Sequence, residues 1–255
     1  MKIQDAKAVV TGAASGLGYA VAKWIAHAGG RVCLFDLNAD LGRGAAERLG
    51  PPAQFFVCDV GSEQQVDVAM QGAADAMGGI NLLVNCAGII GAGRVLGRQG
   101  PMSGEFFARV VNVNLIGTFL CDKAAAALMQ HNTPDADGQR GLLIHTSSVA
   151  AFEGQIGQAA YSATKAAVAG MTLPLARELA AFGIRCMSLA PGAFHTPMVD
   201  AMSEELRAAL GAQVPFPKRL GDPEEFARLV AAAFEITMLN GETIRLDGAI
   251  RMQPK

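Results

Sequence analysis

The chain has 255 residues, about half of them hydrophobic, which is enough for a sizeable core and an ordinary length for one α/β sheet. Its formal charge of −2, without runs of like charge, provides neither a basic surface for nucleic acid nor a charged tail. Five cysteines (Cys33, Cys58, Cys86, Cys121 and Cys186) include no C-x-x-C and are odd in number, so buried thiols are expected, with no disulfide framework and no metal site.

Apolar runs of strand length, at residues 6–11, 31–35, 54–58, 82–85, 142–146, 185–189 and 242–246, alternate with helical patterns. The helices are expected at 17–28, 39–49, 63–77, 105–131, 160–182 and 223–235, with a short one near 203–210. Such alternation predicts a doubly wound α/β fold, a seven-stranded parallel sheet with helices on both faces, as one domain over residues 1–255. The N-terminus lacks a basic stretch followed by an apolar one, and no uninterrupted apolar run is long enough to span a bilayer. The expectation is therefore a soluble, cytoplasmic protein without membrane contact.

Directly after the first strand comes T-G-A-A-S-G-L-G, with Gly12, Ser15, Gly16, Leu17 and Gly18 opening the first helix. Glycines let the backbone turn sharply and approach a pyrophosphate, whose charge meets the helix N-terminus. Asp36 ends the second strand, where a carboxylate accepts hydrogen bonds from ribose hydroxyls and repels a 2′-phosphate. No Lys or Arg flanks it, which favours NAD over NADP. Asp59 and Val60 end the third strand, at the place for an adenine ring. The fourth ends in Asn85-Cys86-Ala87-Gly88, small residues against which a flat cofactor would lie.

Tyr161 and Lys165 form Y-x-x-x-K. Positions i and i+4 share a helix face, so the spacing holds a phenol beside an ammonium, a plausible acid/base for a carbonyl/alcohol couple. Ser147 and Ser148 end the fifth strand and bring a hydroxyl toward that helix. Asn114 lies inside the long preceding helix, where an amide is a poor helix former. A hydrolase reading finds no G-x-S-x-G elbow, and His145 sits in an apolar strand as a packed side chain.

Taken together, T-G-x-x-x-G-x-G, N-x-A-G, Asn114, Ser148, Y-x-x-x-K and P-G-x-x-x-T resemble the short-chain dehydrogenase/reductase family over essentially the whole chain. The resemblance implies that Tyr161 exchanges a proton with the substrate oxygen, which Ser148 hydrogen-bonds. Lys165 would lower the Tyr161 pKa and hold the nicotinamide ribose, and Asn114 would support a water leading to solvent. Ser148, thirteen residues before the tyrosine, is favoured over Ser147. Thr196 would hold the carboxamide, with Pro191, Gly192 and Phe194 as further cofactor contacts, and the main chain around Val60 and from Asn85 through Ala87 to Gly88 would hold the adenosine half.

Within the family, the stretches 85–89, 150–155, 157–161, 214–217 and 246–252 look like the type 2 3-hydroxyacyl-CoA dehydrogenases. That implies NAD-linked oxidation of the 3-hydroxyl of an acyl-CoA, activity on steroids and small alcohols, and a homotetramer. The alternatives are a 3-oxoacyl thioester reductase, a broad secondary-alcohol or hydroxysteroid dehydrogenase, or a scaffold in a multiprotein complex. His195 departs from the small residue usual there and is expected at the substrate mouth. Gln155 and Gln158 flank the active-site helix, as thioester contacts or as caps. Residues 195–220 would form a lid over substrate, with Arg207, Lys218 and Arg219 as CoA-phosphate partners or plain surface. The apolar stripe on 160–182 and 124–129 would meet a neighbouring subunit or the chain's own core.

Overall fold

A computed structural model describes residues 1–98, 100–200 and 202–254, apart from the side chain of Met198. The strands are β1 (Lys7–Thr11), β2 (Arg31–Asp36), β3 (Ala53–Val57), β4 (Leu82–Asn85), the short pair β5 (Leu96–Gly97) and β6 (Gly100–Pro101), β7 (Gly141–Thr146), β8 (Ile184–Pro191) and β9 (Thr243–Leu246). All except β5 and β6 form one sheet in the order β3-β2-β1-β4-β7-β8-β9, every pairing parallel. The direction of winding reverses between β1 and β4. In open α/β sheets a ligand binds outside the strand carboxyl ends at such a reversal.

Nine α-helices are described: α1 (Gly16–His27), α2 (Ala39–Leu49), α3 (Glu63–Met77), α4 (Gly104–Val111), α5 (Gly117–Met129), α6 (Ala159–Leu179), α7 (Pro197–Asp200), α8 (Glu204–Ala212) and α9 (Pro223–Glu235). Because successive strand side chains point to opposite faces, the inner strands feed two cores and read as continuous apolar runs. Val10, Leu34, Val84 and Ile144 pack with Ile25 of α1 and Phe226 of α9. Val9, Phe35, Leu83 and Leu143 pack with Met70 of α3 and Met129 of α5 on the other side. Local signals set the helix starts. Asn38 caps α2, and Asp222 with Glu225 makes a capping box around Pro223 at the start of α9.

Two features depart from expectation, and for 124–129 the chain's own core is the alternative found. The helix foreseen at 105–131 is interrupted by a π-helical turn at Asn112–Ile116, centred on Asn114. Ala124, Ala125 and Met129 are buried in the chain's own core and offer nothing to a neighbour. Finally, the helical run Gly104–Met129 is, by length and composition, long and apolar enough to cross a bilayer. Half of its most apolar 18-residue stretch is buried inside the protein, including Cys121, Ala125 and Met129, which marks it as a core helix.

Candidate active site

One cleft of about 590 Å³ crosses the carboxyl ends of the sheet. Gly12, Ser15, Gly16, Leu17 and Gly18 line one wall of it. Gly12 has φ +62°, and a Cβ there would stand 2.8 Å from the Ala87 backbone. A Cβ on Gly18 would stand 2.4 Å from the Gly12 carbonyl oxygen. The turn therefore lies flat against the segment that follows β4 and against itself, which only glycine permits at these two places. Ser15 is the N-cap of α1 yet makes no side-chain cap bond, so first-turn N–H groups are left for an anion.

Asp36, Asp59 and Val60 also line the cleft. The Asp36 carboxylate is fixed by the N–H groups of Ala14 and Asn38, both at 3.0 Å, one on each oxygen. Each oxygen keeps capacity for a further donor such as a ribose hydroxyl. Ala87 and Gly88 form the adjoining wall. The Thr11 hydroxyl holds it by accepting the N–H groups of Cys86 (3.1 Å) and Ala87 (3.0 Å).

At the other end stand Ser148, Tyr161 and Lys165, with Pro191, Gly192, Phe194 and Thr196 along the rim that β8 runs into. Ser148 starts a 3-10 turn and accepts the Ala150 N–H (3.1 Å). Ser147 turns inward and donates to the Lys165 carbonyl (2.8 Å), which leaves Ser148 as the serine facing the phenol. The Lys165 ammonium donates to the Thr146 carbonyl (2.7 Å) and lies 5.7 Å from the Tyr161 ring centre. Burial raises the phenol above its usual value, against a downward pull from Ser148. Burial likewise pushes Lys165 down to about 8. In the free protein burial thus opposes the charged form of both groups, and the influences on the Tyr161 phenol are burial and the Ser148 hydroxyl.

Several expected residues lie elsewhere. Asn114 is fully buried, and its side chain is consumed. Oδ1 accepts the Ile89 N–H, while Nδ2 donates to the Ile89 carbonyl and the Thr164 hydroxyl. Its side chain clasps the chain beyond Gly88, and its main-chain carbonyl accepts the Thr118 hydroxyl at 2.8 Å. Asn85 points beneath the cleft, donating to Asp122 at 2.8 Å. His195 faces away from the cleft, 3.5 Å from Asp200, on a separate hollow between α1 and α9. Gln155 and Gln158 bond each other, and Gln155 reaches the Gln253 carbonyl; neither lines the cleft, and Gln158, at the N-cap of α6, makes no side-chain cap bond. Arg219 is paired with Glu225 through both terminal nitrogens, and Arg207 lies 3.8 Å from Asp200. Arg109, at the last turn of α4, lines the rim and was not foreseen, because nothing in its spacing marks it.

Residues 6–207 match the family model for short chain dehydrogenase. A 3-hydroxyacyl-CoA dehydrogenase type-2 from Drosophila melanogaster is 50% identical over 254 residues, covering 99% of this chain and 100% of that protein. The Bos taurus protein of the same name is 51% identical over 249 residues, 97% of this chain and 95% of the other. A crystal structure of 3-hydroxyacyl-CoA dehydrogenase type-2 from Mycobacterium avium has a TM-score of 0.93 and 38% identity, over 99% of this chain and 98% of that one.

Proposed function

Because the chain belongs to the short-chain dehydrogenase family, and is thus an oxidoreductase, we propose that it interconverts 3-hydroxyacyl-CoA and 3-oxoacyl-CoA with NAD as its cofactor. The observation that carries this reading is a single cleft joining the Asp36 carboxylate to the Ser148–Tyr161–Lys165 group. The acyl-CoA substrate is taken from the relatives' names and from an identity near one half over the whole chain.

The residues present fit a nicotinamide dinucleotide. Gly12, Gly18 and the uncapped start of α1 suit a pyrophosphate, and Asp36 suits an unphosphorylated ribose. Such a cofactor supplies the hydride acceptor or donor. The chain's own work is acid–base and positioning. The Ser148 hydroxyl hydrogen-bonds the substrate oxygen, and Tyr161 takes the proton from that oxygen as phenolate or returns it as phenol. Lys165, anchored on the Thr146 carbonyl, uses one of its three donors there and offers the others to ribose hydroxyls. Charge brought in by bound ligands would have to lower the phenol's pKa, since burial dominates in the free protein. Helices α7 and α8 would close over the acyl chain. A homotetramer is part of the same reading. Phe119 and Leu173, half-exposed on α5 and α6, suit a neighbouring subunit, and light scattering checks the mass.

Tyr161→Phe tests the assignment. Turnover is expected to fall by about 10²–10⁴-fold while NADH affinity stays within a few-fold of the wild type. Retained turnover would remove Tyr161 from the proton step.

A further inference from the structure

Beneath the cleft lies a buried charged cluster that the proposed chemistry does not use. His145 of β7 and Asp122 of α5 have side chains 0% and 2% exposed, with Nε2 2.8 Å from the carboxylate. On its other side the imidazole Nδ1 stands 3.0 Å from the Thr172 hydroxyl of α6, which itself donates to the Val168 carbonyl at 3.1 Å. Thr172 has one proton and spends it on Val168, so it accepts from Nδ1; the carboxylate can only accept at Nε2. In that arrangement both ring nitrogens donate, the imidazolium form. Burial alone would push the ring down, but Asp122 and the neighbouring Cys186 outweigh it and lift the pKa to about 10. The second Asp122 oxygen accepts from Asn85 of β4, the register partner of His145.

We propose that the Asp122–His145 pair is a positioning unit for Lys165, clamping the end of β7 to α5 and α6 and so setting where the ammonium stands against Tyr161. Three consecutive residues of β7 and the loop after it grip α6. The His145 ring holds Thr172, the Thr146 carbonyl accepts the Lys165 ammonium, and the Ser147 hydroxyl donates to the Lys165 carbonyl. Lys165 and Thr172 are seven residues apart, two helical turns along one face, so the grip spans roughly 10 Å of α6. Asn85 ties the same pair to the strand whose next residues, Cys86 and Ala87, wall the cleft. Stability does not account for such a pair, since well-packed apolar residues usually replace a buried ion pair without loss. Directional bonds to three elements at once are what apolar residues cannot supply.

This inference rests on the proposed roles of Tyr161 and Lys165. Two variants of the full chain test it, D122L/H145L, which removes both charges together, and Thr172→Val, which cuts only the tie to α6. The readouts are thermal unfolding, NADH titration, and the pH profile of kcat for 3-hydroxyacyl-CoA oxidation. Both variants are expected to fold and to bind NADH within about threefold of the wild type, while kcat at neutral pH falls about tenfold and its ascending limb moves up by about half a unit or more. Folded variants with an unmoved limb and unchanged kcat overturn the proposal; if the double variant fails to fold, Thr172→Val decides alone. Absent wild-type turnover in the same assay would instead sink the functional reading.

Discussion

Gly18→Ala puts one methyl group where the phosphate turn has no room. The added Cβ would lie 2.4 Å from the Gly12 carbonyl oxygen, 2.9 Å from its carbon and 3.1 Å from the Ala13 Cα, all backbone atoms. An ordinary carbon–oxygen contact is about 3.3–3.6 Å, so the turn must shift by about 1 Å. Overpacking of this kind costs about 1–3 kcal/mol. Gly18 sits in a helix, so a left-handed backbone is not at issue and only close approach is tested. The displaced turn carries the N–H groups proposed to meet the pyrophosphate, so NADH affinity should fall by about tenfold or more, along with the melting temperature. Gly44→Ala is the control. Its Cβ would meet only the flexible end of Arg48 at 3.4 Å, and better helix propensity should stabilise the protein by about 0.5–1 kcal/mol with NADH binding unchanged. Calorimetric titration and thermal unfolding of both variants give the answer. Wild-type affinity and melting in Gly18→Ala would refute the packing argument.

Asp36→Ala removes the carboxylate that holds the Ala14 and Asn38 N–H groups. It should weaken NADH by about tenfold and erode the preference over NADPH, because a charge-assisted hydrogen bond and the repulsion of a 2′-phosphate both disappear; an unchanged NADH/NADPH ratio in parallel titrations would place the discrimination elsewhere. Lys165→Met should abolish measurable turnover yet raise the stability of the free protein at pH 7 by about 1–3 kcal/mol, since burial holds the Lys165 pKa near 8 against 10.5 in the unfolded chain. The sign follows from proton binding. Between 8 and 10.5 the unfolded chain holds more protons, so wild-type stability rises there, and the advantage of Met is full below about 8 and gone above 10.5. Denaturant melts across that range check it; an advantage that grows with pH would contradict it.

Strand ends and the Y-x-x-x-K spacing were legible because they depend on local order along the chain. Gly12, Asp36, Ser148 and Tyr161 each sit at the carboxyl end of a strand or the first turn of a helix, and a parallel sheet brings such points together. What was not legible depends on where side chains turn once packed. Asp122 and His145 are 23 positions apart on a helix and a strand, and nothing in either pattern says that they meet. His195 sits between cleft residues in sequence, yet its side chain leaves on the far side toward Asp200. Asn114 was singled out correctly as an odd helix residue, but the π-turn and the clasp on Ile89 appear only when the two segments are packed. The lowered lysine pKa and raised tyrosine pKa likewise follow from burial, which spacing alone does not reveal.

In the proposed function, one cleft reads NAD at Asp36 and interconverts 3-hydroxyacyl-CoA and 3-oxoacyl-CoA at Tyr161. Initial rates of acetoacetyl-CoA reduction with NADH and with NADPH, beside a steroid ketone and a simple ketone, test it most directly. Fast NADH-dependent turnover that favours the CoA ester is the predicted result. Preference for NADPH, or turnover of the simple ketone alone, would contradict it.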